Sequence, residues 1–255
     1  MLFLFRSYMY IMIGAAIIPA IFLIKYIYKV DRMDKEPKSL IIRLVILGVV
    51  STWIAVLLEN IGYGILENSV SEYDPKFAVI EFFLIVGPAE ELSKYVLLKF
   101  GSWKRPEFNC QFDAIVYAVS VSLGFALWEN IKYVFSYGFS VALVRAITAV
   151  PGHACFGVFM GIWYGVAKRQ EVIGNTKASA IFRWISVICP AIIHGAYDYI
   201  ATCSDTKGEL IFVVFIIAMF FICFKAVQRL SKKDRYLDSN KHDDDDNNHT
   251  VIIDV

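Results

Sequence analysis

Residues 77–99 read FAVIEFFLIVGPAEELSKYVLLK. At ~1.5 Å per helical residue, a run of this length covers the ~30 Å hydrocarbon thickness of a bilayer. Yet Glu90, Glu91 and Lys94 sit well inside it. A charge within a bilayer costs at least ~2.5–3.5 kcal/mol on insertion scales, so such charges tend to be paired, buried between helices and functional. Glu90 and Lys94 are i, i+4 neighbours, and Glu91 and Lys94 are i, i+3. Two adjacent carboxylates cannot both ionise comfortably unless Lys94 or a metal compensates. The plainer alternative is a charge-balanced structural pair. Pro88 has no N–H for the carbonyl of Leu84, which predicts a kink just before the carboxylates.

Outward from this run, six more segments reach spanning length, at about 8–29, 40–64, 112–135, 140–167, 181–202 and 209–228. The first ends in a basic segment with no A-x-A cleavage pattern, so it reads as a retained anchor rather than a signal peptide. The expected fold is therefore an all-α, polytopic membrane bundle of about seven transmembrane helices. Composition agrees: of 255 residues, 58% are hydrophobic and 19% charged, against ~half apolar and ~a quarter charged in soluble domains.

Loop charge sets the orientation. The segments 25–43, 99–105, 168–183 and 225–241 hold most of the 25 Lys and Arg residues, while the opposite side has Arg6, Lys76 and Lys207. By the positive-inside rule the N-terminus is expected outside and the C-terminus in the cytoplasm. Residues 1–230 read as one integral membrane domain. Residues 231–255 read as an acidic, disordered tail, because the aspartates of DSNKHDDDDNNH repel one another and cannot bury a core. A net charge of +1 argues against nucleic acid as a partner. The five cysteines are scattered with no C-x-x-C pair, a pattern of packing rather than of disulfides or zinc.

Three other spans carry polar groups. GFALWENIKYV (124–134) places Glu129 and Tyr133 on one helical face. Glu129 has three open roles: metal ligand, partner of a histidine, or partner of Lys132. His153 begins a stripe with Gly157, Gly161 and Gly165, and small residues at this spacing let a neighbouring helix approach closely. That places His153 in the bundle interior, although a lone histidine can also serve by bonding a backbone carbonyl. IIHGAYDY (192–199) sets Asp198 one turn after His194, where a carboxylate fixes an imidazole's tautomer or joins it as a ligand. Four helices can thus converge carboxylates and histidines on one buried, water-accessible site. Such a set suits polarising a carbonyl and activating water, with or without a metal. Two histidines with glutamates suit Zn2+, and His153, His194 and Glu90 are the candidate ligands. No H-E-x-x-H, G-x-S-x-G, Gly-Asp pair or Walker loop occurs, and Cys155 lies off the His153 face.

Five stretches in order, YKVDRMDKEPKSL (28–40), GPAEELSK (87–94), FDAIVYAVSVSLGFALWENIKYV (112–134), RAITAVPGHACFGVFMG (145–161) and HGAYDY (194–199), resemble the PrsW family of bacterial intramembrane proteases. The match runs over about 28–200. That family is similar to the wider group of prenyl-protein proteases and bacteriocin-processing enzymes. There a glutamate pair on one helix and histidines on later helices activate the attacking water. By resemblance, Glu90, Glu91 and Lys94 match the EExxK motif, Glu129 and Tyr133 the second motif, His153 and His194 the histidines, and Asp198 the position one turn on. The implied activity is hydrolysis of a peptide bond near the outer face of the bacterial cytoplasmic membrane. The implied substrate is a single-pass membrane protein such as an anti-sigma factor, cut in a site-1 step. Two other classes fit buried charges: a proton-coupled transporter, for which an inverted repeat is expected and none is found, and a non-catalytic receptor or scaffold.

Overall fold

The computed structural model describes residues 2–238; the aspartate run 243–246 lies outside the described residues. Nine α-helices follow one another among them: α1 (Leu2–Val30), α2 (Lys38–Ser69), α3 (Lys76–Ile80), α4 (Gly87–Ser102), α5 (Asp113–Tyr137), α6 (Phe139–Ile147), α7 (Ala149–Val172), α8 (Thr176–Ala201) and α9 (Thr206–Lys232). Between α3 and α4 the backbone is π-helical over Glu81–Val86. The only β pairing among the described residues is an isolated bridge between Cys110 and Tyr236.

Six helical stretches are long and apolar enough to cross a membrane. The segment 77–99 is helical throughout but is not among them, being divided into α3, the π turn and α4 and holding Glu81, Glu90, Glu91 and Lys94. The break expected at Pro88 takes the form of this π turn. A wider i→i+5 turn lets the chain pass a residue without a donor, and such turns gather at functional sites. A second break divides the segment 140–167. Pro151 crowds the carbonyl of Ile147 four residues before it, and Thr148 (φ −117°, ψ −71°) separates α6 from α7. Gly138, at φ +89°, turns the chain between α5 and α6, a conformation that only glycine adopts without strain.

α5 is the hub, packed against α7, α2, α1 and α4, and it is buried along most of its length. Close approach makes this possible. A Cβ on Gly161 would meet the backbone of Ile115 at 2.5 Å, and one on Gly157 that of Val119 at 2.9 Å. The stripe seen in the sequence is therefore the α5–α7 seam. Gly48 and Gly124 bring α2 and α5 together against the backbones of Val121 and Val45 in the same way. Outward, α9 presents Leu210, Ile211, Val214, Ile217, Phe221 and Ile222, and α2 presents Ile42, Ile46, Trp53 and Leu57. Large exposed apolar surface of this extent has no place in water and suits lipid contact.

The basic loops meet at one end of the bundle. Trp103, after α4, donates to Glu171 of α7 (3.1 Å) and accepts from Lys168 through its carbonyl (2.9 Å). Asn109 donates to Asp34 (2.9 Å) and accepts from the Leu237 N–H (2.7 Å).

Candidate active site

Glu90 lies in the first turn of α4, just after the π turn, and Glu91 follows it. This stretch is pressed on α8: a Cβ on Gly87 would meet the carbonyl of Ala191 at 2.6 Å, and one on Gly195 the carbonyl of Phe82 at 2.7 Å. That closeness brings the glutamates to His194. Lys94, one turn later and 1% exposed, gathers three groups. Its ammonium lies 3.0 Å from Glu90 Oε2, 2.7 Å from Glu91 Oε1 and 3.2 Å from His153 Nδ1. The ring of Phe125 closes over it at 3.9 Å.

An ammonium only donates, so Nδ1 of His153 must offer its lone pair and Nε2 must carry the proton. Nε2 lies 2.9 Å from Glu129 Oε2, which accepts it. Glu129 is held by Arg145 of α6, whose Nη2 donates to the same oxygen at 2.7 Å while its Nε donates to Asn130 (3.3 Å). The Arg145 guanidinium also lies over the Tyr133 ring at 3.8 Å. Of the three roles left open for Glu129, the pair with a histidine is the one formed; Lys132 only shares the cavity wall.

His194 is bracketed by carboxylates. Its Nδ1 lies 2.9 Å from Glu91 Oε1, and its Nε2 3.3 Å from Asp198 Oδ2 and 3.8 Å from Glu90 Oε2. Phe156 stacks on the His194 ring at 4.4 Å, and the two imidazoles stand edge to face with centroids 5.3 Å apart. All eight residues expected in the sequence thus come together. Glu90, Glu129, Tyr133, His153, His194 and Asp198 line one cavity of about 330 Å³, with Glu91 and Lys94 in the wall behind. Arg145, Glu59, Phe125 and Phe156 belong to the same wall and were not singled out from the sequence. An arginine within an apolar segment was the signal for the first of them.

The cluster has the chemistry of a metal centre. One ligand atom each from Glu90, Glu91, His153 and His194 can be chosen so that all lie within 4.8 Å of one another. Glu91 Oε2 is buried with no hydrogen-bond partner, so a donor stands free. Two carboxylates against one ammonium leave a negative balance that a cation offsets. The residues present therefore fit a metal.

Comparison with known proteins bears on the same residues. The family model described as PrsW family intramembrane metalloprotease matches residues 36–224. Curated relatives named Protease PrsW include one from Bacillus subtilis, 35% identical over 200 residues, 76% of this chain and 84% of the relative. Another, from Oceanobacillus iheyensis, is 34% identical over 220 residues (86% and 96%), and one from Geobacillus kaustophilus is 30% identical over 223 residues (87% and 92%). No solved structure matches. With the match spanning α2 to α9 and the four stretches from GPAEELSK to HGAYDY wholly inside it, the chain belongs to the PrsW family of intramembrane metalloproteases.

Proposed function

We propose that the protein hydrolyses a peptide bond of a single-pass membrane protein, with Glu90 as the general base, in a site that takes Zn2+. The observation that carries this reading is the position of the glutamates. Glu90 lines the cavity, whereas Glu91 is buried behind it against Lys94 and His194. Only the first can reach a water beside a substrate. His153, His194 and Glu91 would hold the metal, which leaves Glu90, a candidate ligand on sequence grounds, free for the proton. A bound divalent ion supplies Lewis-acid polarisation of the scissile carbonyl and a more acidic water.

Glu90 takes a proton from the attacking water as its oxygen bonds to the carbonyl carbon. It returns that proton to the leaving nitrogen when the C–N bond breaks, so the balance closes with water consumed and two termini formed. Lys94, bonded to both glutamates, fixes their positions. A metal would take the Nδ1 lone pair of His153 in place of Lys94 and the Nδ1 of His194 in place of its Glu91 contact, with Asp198 holding the other nitrogen of His194. Glu129 with Arg145 holds His153 in the Nε2–H form, with Tyr133 beneath the guanidinium. Positive-inside charge supports an orientation with the basic end in the cytoplasm of a bacterial inner membrane and the carboxylate cluster within the bilayer rather than at its outer surface. A membrane-anchored anti-sigma factor, cut in a site-1 step, is the substrate class that the family resemblance favours.

The test is metal content and cleavage of a membrane-anchored substrate by detergent-purified protein. About one zinc per chain, absent from the His153→Ala/His194→Ala variant, with cleavage lost in Glu90→Gln, is the expected result. Active wild-type protein free of metal would remove zinc from the reading, and full activity in Glu90→Gln would remove the base.

A further inference from the structure

The basic-loop end of the bundle holds a second group of acidic side chains, which the protease site does not use. Asp31 follows α1, Glu36 precedes α2, Asp113 opens α5 and Asp234 follows α9. Asp31, Glu36 and Asp113 are 1%, 3% and 0% exposed. Part of this set is occupied by the backbone. Asp113 Oδ2 accepts from the N–H groups of Asn109 (3.0 Å) and Cys110 (2.6 Å). Asp234 Oδ1 accepts from those of Phe112 and Arg235, both at 2.9 Å. The second oxygen of each is buried with no hydrogen-bond partner, and so are both oxygens of Asp31. Glu36 adds a further unbonded oxygen, Oε2, beside the Tyr117 phenol.

These groups converge. A ligand atom from each of Asp113, Asp234 and Cys110 lies within 4.8 Å of the others, and Asp31 is near enough to both aspartates for their charges to repel. Lys35, the cation that acts on Asp31, donates its ammonium to the Tyr28 carbonyl at 2.9 Å. The salt bridges among the described residues include none of the four carboxylates. Burial, then repulsion from Asp234, pushes the Asp31 carboxyl up to about 6, and burial pushes that of Glu36 up to about 7. Buried carboxylates without a counter-charge cost several kcal/mol each, so several together on unconnected segments call for a cation.

We propose that Asp31, Glu36, Asp113 and Asp234 form a binding site for a hard divalent cation of the Ca2+ or Mg2+ class. The proposed donors are carboxylate oxygens, with the Cys110 thiol beside Asp113 and Asp234 and no imidazole, a set that suits hard cations rather than zinc. The ion would tie the end of α1, the start of α2, the start of the hub helix α5 and the end of α9. It is a structural staple at the opposite end of α5 from Glu129.

The experiment follows the melting temperature of the full-length chain in detergent, stripped with EDTA and then given millimolar Ca2+ or Mg2+. Wild type is expected to gain several degrees with at least one of the two ions, and the ion that acts identifies the class. Asp31→Asn/Asp113→Asn should lose that gain while melting, without added ion, no lower than stripped wild type, since the repulsion is relieved. Where that double variant fails to fold, Asp234→Asn serves, because its amide oxygen can still accept from Phe112 and Arg235. The His153→Ala/His194→Ala variant should keep the full gain. A wild type indifferent to both ions, but melting higher as pH falls from 8 to 5, would overturn the proposal in favour of protonated carboxyls. So would a gain that survives in Asp31→Asn/Asp113→Asn or vanishes in the histidine variant.

Discussion

Lys94 couples the two halves of the site, because its ammonium alone touches both glutamates and a histidine. Removing one partner of a buried ion pair leaves charge uncompensated, at a cost of about 3–5 kcal/mol. Lys94→Met is therefore expected to lower the melting temperature sharply and to abolish cleavage. Glu90→Gln should keep the fold and lose cleavage by about 10²–10⁴-fold, the range of a general base; a melting curve beside a cleavage assay separates the two effects. Arg145 acts at one remove, through Glu129 on His153. Arg145→Met is expected to cut cleavage by roughly 10–100-fold, as loss of a carboxylate–histidine support does. Arg145→Lys should recover part of that loss, and wild-type activity in Arg145→Met would show that the guanidinium does not position His153. Every member of the pair EE, the two histidines and Asp198 was legible in the sequence, since a charge inside an apolar run announces itself. Which partner each one takes was not. Glu129 and Lys132 are close on one helix, yet Arg145 wins because the Gly138 turn and the short α6 fold it back over α5, a geometry no spacing rule contains. The second acidic group was invisible for a related reason: Asp31, Asp113 and Asp234 are far apart in the chain and each looks like an ordinary loop charge.

Helices place these residues through two seams that glycine makes thin. At the α5–α7 seam even a methyl at Gly161 would overlap the Ile115 backbone, and backbone cannot move aside as a flexible side chain can. Gly161→Val is expected to destabilise by about 1–3 kcal/mol or more, seen as a lower melting temperature and poorer recovery from the membrane. The seam between α4 and α8 is nearer the chemistry. Gly195 abuts Phe82 in the π turn, so Gly195→Ala should move His194 relative to Glu91. The expected signature is activity that falls further than stability does; equal losses would make this contact a packing feature alone. The apolar runs and the glycine stripe made the helices and the α5–α7 contact readable beforehand. The breaks were harder, because Pro88 announces an interruption without saying that it will be a π turn, and Thr148 separates α6 from α7 inside what reads as one span-length segment.

Across the whole molecule, the distribution of charge makes a claim about sidedness. The loops after α1, α4, α7 and α9 carry the lysines and arginines, and they meet at one end of the bundle. Inserting that end into the cytoplasm leaves the turns before α3, between α5 and α6 and before α9 outside. From Lys76 to Glu90 the helical path is ~20 Å at ~1.5 Å per residue, which places the carboxylates below the outer surface by about two-thirds of the hydrocarbon thickness. Alkaline phosphatase, active only outside the cytoplasm, tests this when fused after successive truncations. Fusions after Asp74, Gly138 and Asp205 are expected to be active, and those after Asp34, Arg105 and Gly174 inactive. The pair Asp74 and Arg105 is the decisive one, because the segment between them holds the glutamates and is too charged to be assigned to the bilayer by hydropathy. Opposite results mean that it crosses, and that its charges are held in the membrane by Lys94 and the histidines rather than by water at a surface. Equal results would make it re-entrant, open the cavity to one side only, and move the cut from within the bilayer toward a surface loop of the substrate.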